Sequence, residues 1–221
     1  MPRAAQTADP SARPTTTGAP DTRERLLRAG LVLAAARGLN ALTVRAVAAE
    51  AGANLGSFVY HFGTRDAFVE ALIERWYAPL MAGLQGAAQT PGDALSHLRE
   101  AVLRLVDWVI ANREFVGHLV LAASAGEGAA RRFVSTMDQR HPVLLLQLIG
   151  QAQASGQLRP EPPLHVLLFL MSTLALPVPL FHLLSQKAFA PAAMLAQVQA
   201  YTTDRSHVEA RLDWALRGLA P

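Results

Sequence analysis

Residues 42–62, LTVRAVAAEAGANLGSFVYHF, contain two helix starts close together, and they decide the fold of this part of the chain. Thr43 is a good N-cap for a short helix that runs to about Ala51, and Gly52 ends that helix. Asn54 then caps a further helix, which covers the rest of the stretch. Two short helices joined by so tight a turn predict a helix-turn-helix.

The second of these helices is predicted to have one buried and one open face. Phe58 and Phe62 lie one turn apart on a helical wheel, so both can anchor the helix to a core. Gly56 and Tyr60 then point outward, with Ser57 and Val59 beside them. Because this helix has no carboxylate and its glycine permits close approach, the open face suits an anion-lined groove such as that of DNA.

Leu55 and Ser57 are the candidates for contacts with base edges, the leucine through a thymine methyl group. Tyr60 and His61 are long enough to reach phosphate oxygens. Arg65 falls in the first turn of the next helix, where the helix dipole disfavours a cation, so a nearby phosphate would explain it. Taken singly, each residue also fits an ordinary role as a cap, a packing aromatic or a solvated side chain, and their joint spacing favours DNA. The predicted DNA contacts are Thr43, Arg45, Asn54, Leu55, Gly56, Ser57, Tyr60, His61 and Arg65.

Basic residues are concentrated in the same segment. Residues 21–65 hold six arginines and three acidic residues, whereas residues 66–221 hold twelve basic and thirteen acidic residues. Such a local excess is typical of a nucleic-acid surface, although a solvated helix surface would account for it as well. Thr43 and Arg45 lie at the start of a helix, where free backbone N–H groups can bind a phosphate.

The whole chain shows helical periodicity and no convincing strand alternation, which predicts an all-α protein. Residues 1–20, rich in Pro, Thr and Ala, are expected to form a disordered tail. Residues 21–68 are expected to form a three-helix domain that contains the helix-turn-helix. Residues 69–221 are then left for a larger helical domain.

The first helix is expected to start at Asp21 or Thr22 and to stop at Gly38. A fourth helix follows Thr64 and is expected to be disturbed near Pro79, before a loop over residues 83–93. The remaining predicted helices cover residues 92–111, 113–124, 128–155, 163–185, 190–201 and 204–218.

One apolar run has the length and composition of a membrane span. Residues 164–184 carry no formal charge and are long enough to cross a bilayer. The run contains two histidines and the prolines Pro177 and Pro179, and it has no Lys or Arg cluster at either end. We therefore expect it to be buried by neighbouring helices or by a partner subunit.

Composition and motifs argue against an enzyme. The chain has no cysteine, which excludes disulfides and thiol nucleophiles and suits the cytoplasm. Its seven histidines show no HExxH or other metal spacing, and neither a GxSxG elbow nor a phosphate loop is present. The first residues lack the apolar core of a signal peptide. We expect no catalysis, no metal and no cofactor.

Four motifs resemble the DNA-binding region of the TetR/AcrR family of bacterial transcriptional regulators. They are TRERLLRAG at 22–30, Gly38, LTVRAVAAEAG at 42–52 and GSFVYHFGTRDAFVEAL at 56–72. The resemblance covers about a quarter of the chain, and GQLRPE before the later helices is similar too. Many members have Tyr where this chain has Val59, which puts one phosphate contact in doubt.

The resemblance implies a cytoplasmic homodimer, held together by its last long helices, that reads a palindromic operator in successive major grooves. It further implies a larger domain that binds a small effector and moves the fourth helix, and most such proteins repress. The same fold could serve an activator, and a helical interaction module without an operator remains a further alternative. The apolar composition favours an apolar effector. Candidate effector contacts, for each of which an ordinary core position is the favoured interpretation, are Trp108, Phe115, Phe133, Met137, His141, Phe169 and Thr173.

Overall fold

The computed structural model describes residues 21–87, 91–185 and 190–221, and these form helices and no strand. The predicted all-α fold is confirmed. The expected disordered tail, residues 1–20, lies outside the described residues. The helices are α1 (Thr22–Arg37), α2 (Val44–Glu50), α3 (Leu55–Phe62), α4 (Arg65–Ala87), α5 (Ala94–Ala111), α6 (Arg113–Ser124), α7 (Gly128–Ser135), α8 (His141–Ala154), α9 (Pro163–Leu174), α10 (Pro177–Ser185), α11 (Ala192–Thr203) and α12 (Arg205–Gly218), with short 3₁₀ helices at Leu39–Ala41 and Met137–Gln139.

The first three helices pack around the start of α4. Phe58 of α3 is fully buried, and its ring centroid lies 5.0 Å from that of Phe68 on α4. Helices α1 and α4 approach closely because Gly30 has no side chain, since a Cβ there would lie 2.5 Å from the ring of Phe68. These contacts place the helix-turn-helix on one end of a hydrophobic core that continues into the larger part.

Helix α4 belongs to both parts of the molecule. It runs for 23 residues and continues through Pro79, where a disturbance was predicted, and Trp76, Tyr77 and Leu80 are buried in the larger part. The expected domain boundary at 68/69 therefore falls inside one continuous helix. The expected loop from residue 83 was wrong for residues 83–87, which are helical. Burial of Leu84 and Ala87 outweighs the low helix propensity of the glycines in this stretch.

Two helices that the periodicity predicts as continuous are each broken. The predicted helix 128–155 divides into α7, a 3₁₀ turn and α8, because Pro142 lacks a backbone N–H and fits only a first helical turn. The predicted helix 163–185 divides into α9 and α10 for the same reason at Pro177. The start of α6 at Arg113 and its end at Ser124 are as predicted.

The larger part is a helical layer around α5, which packs against α4 and α8, while α10 packs against α6 and α11. One buried cation ties its last helices together. The Arg211 side chain donates to the backbone oxygens of Thr173 at 2.7 Å and Thr202 at 3.3 Å. Because both carbonyls lie at helix C-termini, the negative ends of α9 and α11 take the place of a carboxylate partner.

The apolar run Pro163–Ser185 has a mean hydropathy of 2.0 and is long enough to cross a membrane by length and composition alone. In the structure it forms two helices rather than one. Helix α9 packs on α8 and α12, and α10 packs on α6 and α11. The expectation of burial holds on one side of the run, whereas Leu164, Leu168 and Leu180 remain exposed.

Candidate DNA-binding surface and effector cavity

Two side-chain caps build the helix-turn-helix. The hydroxyl oxygen of Thr43 accepts a hydrogen bond from the backbone N–H of Ala46 at 3.1 Å, which starts α2. The amide oxygen of Asn54 accepts from the backbone N–H of Ser57 at 2.7 Å, which starts α3. Between them Gly52 has a φ of +58°, a conformation that glycine adopts without strain. Thr43 still has its hydroxyl proton and Asn54 its amide NH₂ to donate to a phosphate.

The open face of α3 is apolar and uncharged. Tyr60 is 85% exposed, Val59 56% and Leu55 47%, while Phe58 on the opposite side is fully buried. The exposed side chains lie on the N-terminal turn and on the turn after it, where a recognition helix meets base edges. The structure therefore presents Leu55, Gly56 and Tyr60 on one accessible surface, as the helical wheel predicts.

The neighbours of this face support the same arrangement. Arg45 is exposed on the first turn of α2, and a shallow depression joins Thr43, Val44 and Arg45 to Leu55 and Val59 of α3. The sequence analysis places Val59 beside this face and does not identify Val44 as part of it. The signal that was available for Val44 is its place next to Arg45 on the first turn of α2.

Ser57 and His61 are half-buried, unlike the fully open Tyr60. The imidazole of His61 lies edge-on to the Tyr60 ring, with 5.1 Å between the centroids. A further cation was missed, because the guanidinium of Arg23 lies 5.4 Å from the centroid of the Phe62 ring. This contact places an exposed cation of α1 beside the end of α3.

Arg65 has a different environment from the phosphate site that the sequence suggests. Its guanidinium donates to the backbone oxygens of Leu42 at 2.7 Å and Leu39 at 2.8 Å, and to the carboxylate of Glu127 at 3.1 Å. The Glu127 side chain is only 6% exposed and also caps α7 through the N–H of Ala130. These acceptors offset the unfavourable helix dipole at the start of α4, so no phosphate is needed to explain this cation.

A cavity of about 350 Å³ lies in the larger part, between α4, α5, α6, α7, the start of α8, α9 and α10. This volume is within the range of small-molecule sites. Four of the seven predicted effector residues line it, namely Trp108, Phe133, Met137 and His141. The further lining residues, which the prediction did not include, are Trp76, Tyr77, Leu105, Val109, Val116, Leu119, Val120, Val134, Met171, Ala175, Leu176 and Pro179.

The other three predicted effector residues do not line this cavity. Phe115 packs against Trp76 from behind, with 4.3 Å between the ring centroids. Phe169 is 45% exposed on the outer side of α9, and the backbone oxygen of Thr173 binds Arg211. These three assignments were wrong for this cavity, because α9 turns Phe169 toward solvent and only Met171 of that helix faces inward.

Tyr77 and His141 form the polar corner of the cavity. The Tyr77 hydroxyl oxygen lies 2.8 Å from Nδ1 of His141 and accepts from the His141 backbone N–H at 3.0 Å. Burial, with a smaller contribution from the charge of Arg140, lowers the pKa of His141 to about 4. Burial also raises the pKa of Tyr77. Both side chains are therefore neutral at pH 7.

A second, smaller cavity of about 230 Å³ lies between α6, α10 and α11. The hydroxyls of Ser185, Thr202 and Thr203 along its wall donate to carbonyls of their own helices. In the part of the chain that the structure describes, no group of three His, Asp or Glu side chains is placed to bind a metal.

Comparison with known proteins agrees with this geometry. Residues 26–72 match the family described as bacterial regulatory proteins, tetR family. The HTH-type transcriptional repressor KstR2 of Mycolicibacterium smegmatis is 26% identical over 158 residues, which cover 65% of this chain and 74% of that protein.

Solved structures are similar over nearly the whole chain. The ketosteroid transcriptional regulator KstR2 of Mycobacterium tuberculosis has a TM-score of 0.62 at 20% identity and covers 92% of this chain and 97% of its own. A tetR-family regulatory protein from Rhodococcus RHA1 has a TM-score of 0.67 at 17% identity, covering 91% and 98%. At these identities the likeness establishes the fold.

The fold combines an exposed helix-turn-helix with a larger helical part, and α4 runs through both. Residues 26–72 match the tetR family of bacterial regulatory proteins, and the chain is similar over most of its length to transcriptional regulators of that family.

Proposed function

We propose that this protein is a cytoplasmic repressor that binds a palindromic operator as a homodimer and leaves it when a small effector fills the cavity. The open face of α3 carries this proposal, because it has no carboxylate and exposes Leu55 and Tyr60 beside Arg45. Leu55 and Ser57 would read bases, whereas Tyr60, His61 and Arg45 would hold phosphates. The name of the Mycolicibacterium relative supports repression.

A dimer gives the exposed apolar side chains of the larger part a partner. Helices α9 and α12 pack against each other, and Leu164, Leu168 and Phe169 of α9 and Trp214 of α12 are exposed. Contiguous exposed apolar side chains are typical of a subunit interface. Two copies joined there would present two α3 helices to successive major grooves, about 34–36 Å apart.

Helix α4 supplies the physical connection for an effector. Its first turn is held to the helix-turn-helix through Arg65, and its middle turns line the cavity through Trp76 and Tyr77. An effector releases DNA only if it binds the conformation that does not fit the operator more tightly than the one that does. A ligand that displaces Trp76 or Tyr77 would act on the helix that positions α3.

Two alternatives remain with the same fold. An activator would bind the same operator with the same residues, so transcription from that operator separates it from a repressor. A helical interaction module would leave α3 without a DNA partner. No catalytic residue or cofactor enters either account.

Selection of bound sequences from a random duplex pool, at two salt concentrations, tests the proposal. We expect a palindrome whose affinity falls steeply with salt, because phosphate contacts release counterions. The enriched duplex should then drive a reporter that falls when the protein is expressed, whereas an activator would raise it. A pool without enrichment would contradict DNA recognition and favour the interaction module.

A further inference from the structure

The wall of the larger cavity carries no formal charge. Its sixteen lining side chains are aliphatic or aromatic apart from the Tyr77 hydroxyl, the imidazole of His141 and the two indole N–H groups. The indole N–H of Trp76 already donates to the side chain of Asn112 at 2.8 Å. The hydrogen-bonding capacity of the wall is therefore concentrated at Tyr77, His141 and Trp108.

We propose that the cavity binds a neutral, mainly hydrocarbon molecule whose single oxygen accepts a hydrogen bond from Nε2–H of His141. The inference rests on the proposed function in one respect, since it names the chemical class of the effector. It goes beyond an apolar ligand in general because it assigns one polar anchor and excludes a charged one.

The Tyr77 hydroxyl decides which nitrogen of His141 carries the proton. Its oxygen already accepts from the His141 backbone N–H, and its proton can go to Nδ1 at 2.8 Å or to the sulfur of Met81 at 3.3 Å. A thioether is a weak acceptor, so the proton goes to Nδ1. The ring proton then lies on Nε2, which has no hydrogen-bond partner among the described residues and is left to donate to a ligand.

Cations close to the cavity are already engaged elsewhere. The guanidinium of Arg140 lies 4.2 Å from the centroid of the Phe133 ring and 5.1 Å from that of Tyr77, and it is ion-paired with Glu74. Neither Arg140 nor Glu74 lines the cavity. A carboxylate ligand would lose its hydration without gaining a cation, whereas a carbonyl oxygen loses little and gains one hydrogen bond.

The remainder of the wall suits a hydrocarbon body. Aliphatic side chains of α5 and α6, among them Leu105, Val116 and Leu119, face the aromatic rings of Trp76, Trp108 and Phe133. A volume of about 350 Å³ accommodates a molecule of about ten carbon atoms with room to spare.

Tryptophan fluorescence of the full-length protein without DNA tests the inference directly, because Trp76 and Trp108 line the cavity. The probes are decan-2-one and decanoate, which have the same number of carbon atoms, titrated at pH 8 up to their solubility limits. We expect decan-2-one to bind at least about tenfold more tightly than decanoate. Equal or tighter binding of decanoate would overturn the proposal, and so would a failure of both probes to bind.

Substitutions at the anchor identify the hydrogen bond. His141→Phe should weaken decan-2-one binding about 3- to 10-fold, whereas His141→Gln, which retains an N–H donor, should recover much of that loss. Met137→Leu is the matched control, since it changes the wall without changing a hydrogen-bonding group, and should stay within about twofold of the parent protein. Thermal unfolding shows that each variant is folded. Unchanged affinity for decan-2-one in a folded His141→Phe variant would contradict the proposed hydrogen bond from His141.

Release of the selected duplex, measured separately with the same probe, distinguishes this inference from the proposed function. Binding of decan-2-one without release of DNA supports the ligand class and contradicts effector control. Absence of binding to the protein alone contradicts the ligand class, whatever the DNA experiment shows.

Discussion

The helix-turn-helix and the cavity are organised by different interactions, although α4 runs through both. In the helix-turn-helix each helix starts at its own side-chain cap, Thr43 or Asn54, and the turn between them needs one glycine with positive φ. The cavity is instead lined by residues of α4, α5, α6, α7, α8, α9 and α10 together, and no local sequence motif predicts it. The comparison teaches that local capping signals locate a surface motif, whereas a ligand site depends on how distant helices meet.

The largest expected effect on stability and DNA binding comes from replacing a buried phenylalanine, and it should differ between the helix-turn-helix and the cavity. Phe58→Ala should lower the free energy of unfolding by about 3–5 kcal/mol and abolish operator binding, because α3 loses its anchor against Phe68. Phe133→Ala should cost less, since that ring already borders a cavity, and should leave operator affinity intact. Chemical denaturation and duplex binding measure both. Loss of operator binding in the Phe133 variant alone would show that DNA binding depends on the cavity and not on the anchor of α3.

The pH dependence of stability tests the cavity side. The pKa of His141 is lowered to about 4 in the folded protein. Between about pH 6.5 and pH 4, His141 is therefore protonated in the unfolded chain and neutral in the folded chain. The free energy of unfolding should therefore fall as the pH drops from 6.5 toward 4, by up to about 3 kcal/mol.

His141→Gln is the control for this pH effect, since carboxylates titrate in both proteins and only the difference between them reports the histidine. Denaturant unfolding at a series of pH values from 8 to 4 gives that difference. Parallel curves for the two proteins would show that the imidazole titrates normally in the fold.

Arg65 lies where the helix-turn-helix meets the larger part, and its substitution tests whether this residue stabilises the fold or binds DNA. Arg65→Met should destabilise the protein by about 2 kcal/mol, because it leaves the Leu39 and Leu42 carbonyls and the buried Glu127 carboxylate without their cation. Because the exposed residues predicted to contact DNA are unchanged, the dependence of operator affinity on salt concentration should not change.

Arg45→Met is the matched control for Arg65, since Arg45 is exposed at the start of α2. It should leave stability within about 0.5 kcal/mol and lower the salt slope by about 0.9 for each lost phosphate contact. A lower slope in the Arg65 variant would restore that residue to the DNA surface.

The smallest expected effect concerns base reading by α3. Leu55→Ala should cost about 1 kcal/mol at one or two operator positions by removing an apolar contact with a thymine methyl. Tyr60→Phe should instead weaken all duplexes alike if its hydroxyl binds phosphate. Binding to a set of single-base operator variants measures both effects, and a uniform loss for Leu55→Ala would make that residue a positioning contact.

Much of the architecture could be predicted from local signals. The N-caps Thr43 and Asn54, the breaks at Gly38 and Gly52, and the burial of Phe58 all follow from short-range chemistry, and the structure confirms them. Periodicity located α6 to the residue, but it joined α7 to α8 and α9 to α10 across prolines. A hydrophobic period describes which face is apolar and does not show that the backbone continues.

The sequence by itself determined the helical class, the helix-turn-helix and the open face of α3, because each depends on residues within about two helical turns of one another. Only the tertiary structure decided that Arg65 binds Leu39, Leu42 and Glu127, and that Phe169 points away from the cavity. Those outcomes depend on helices from distant parts of the chain, whose relative positions come from packing the whole core and not from any single segment.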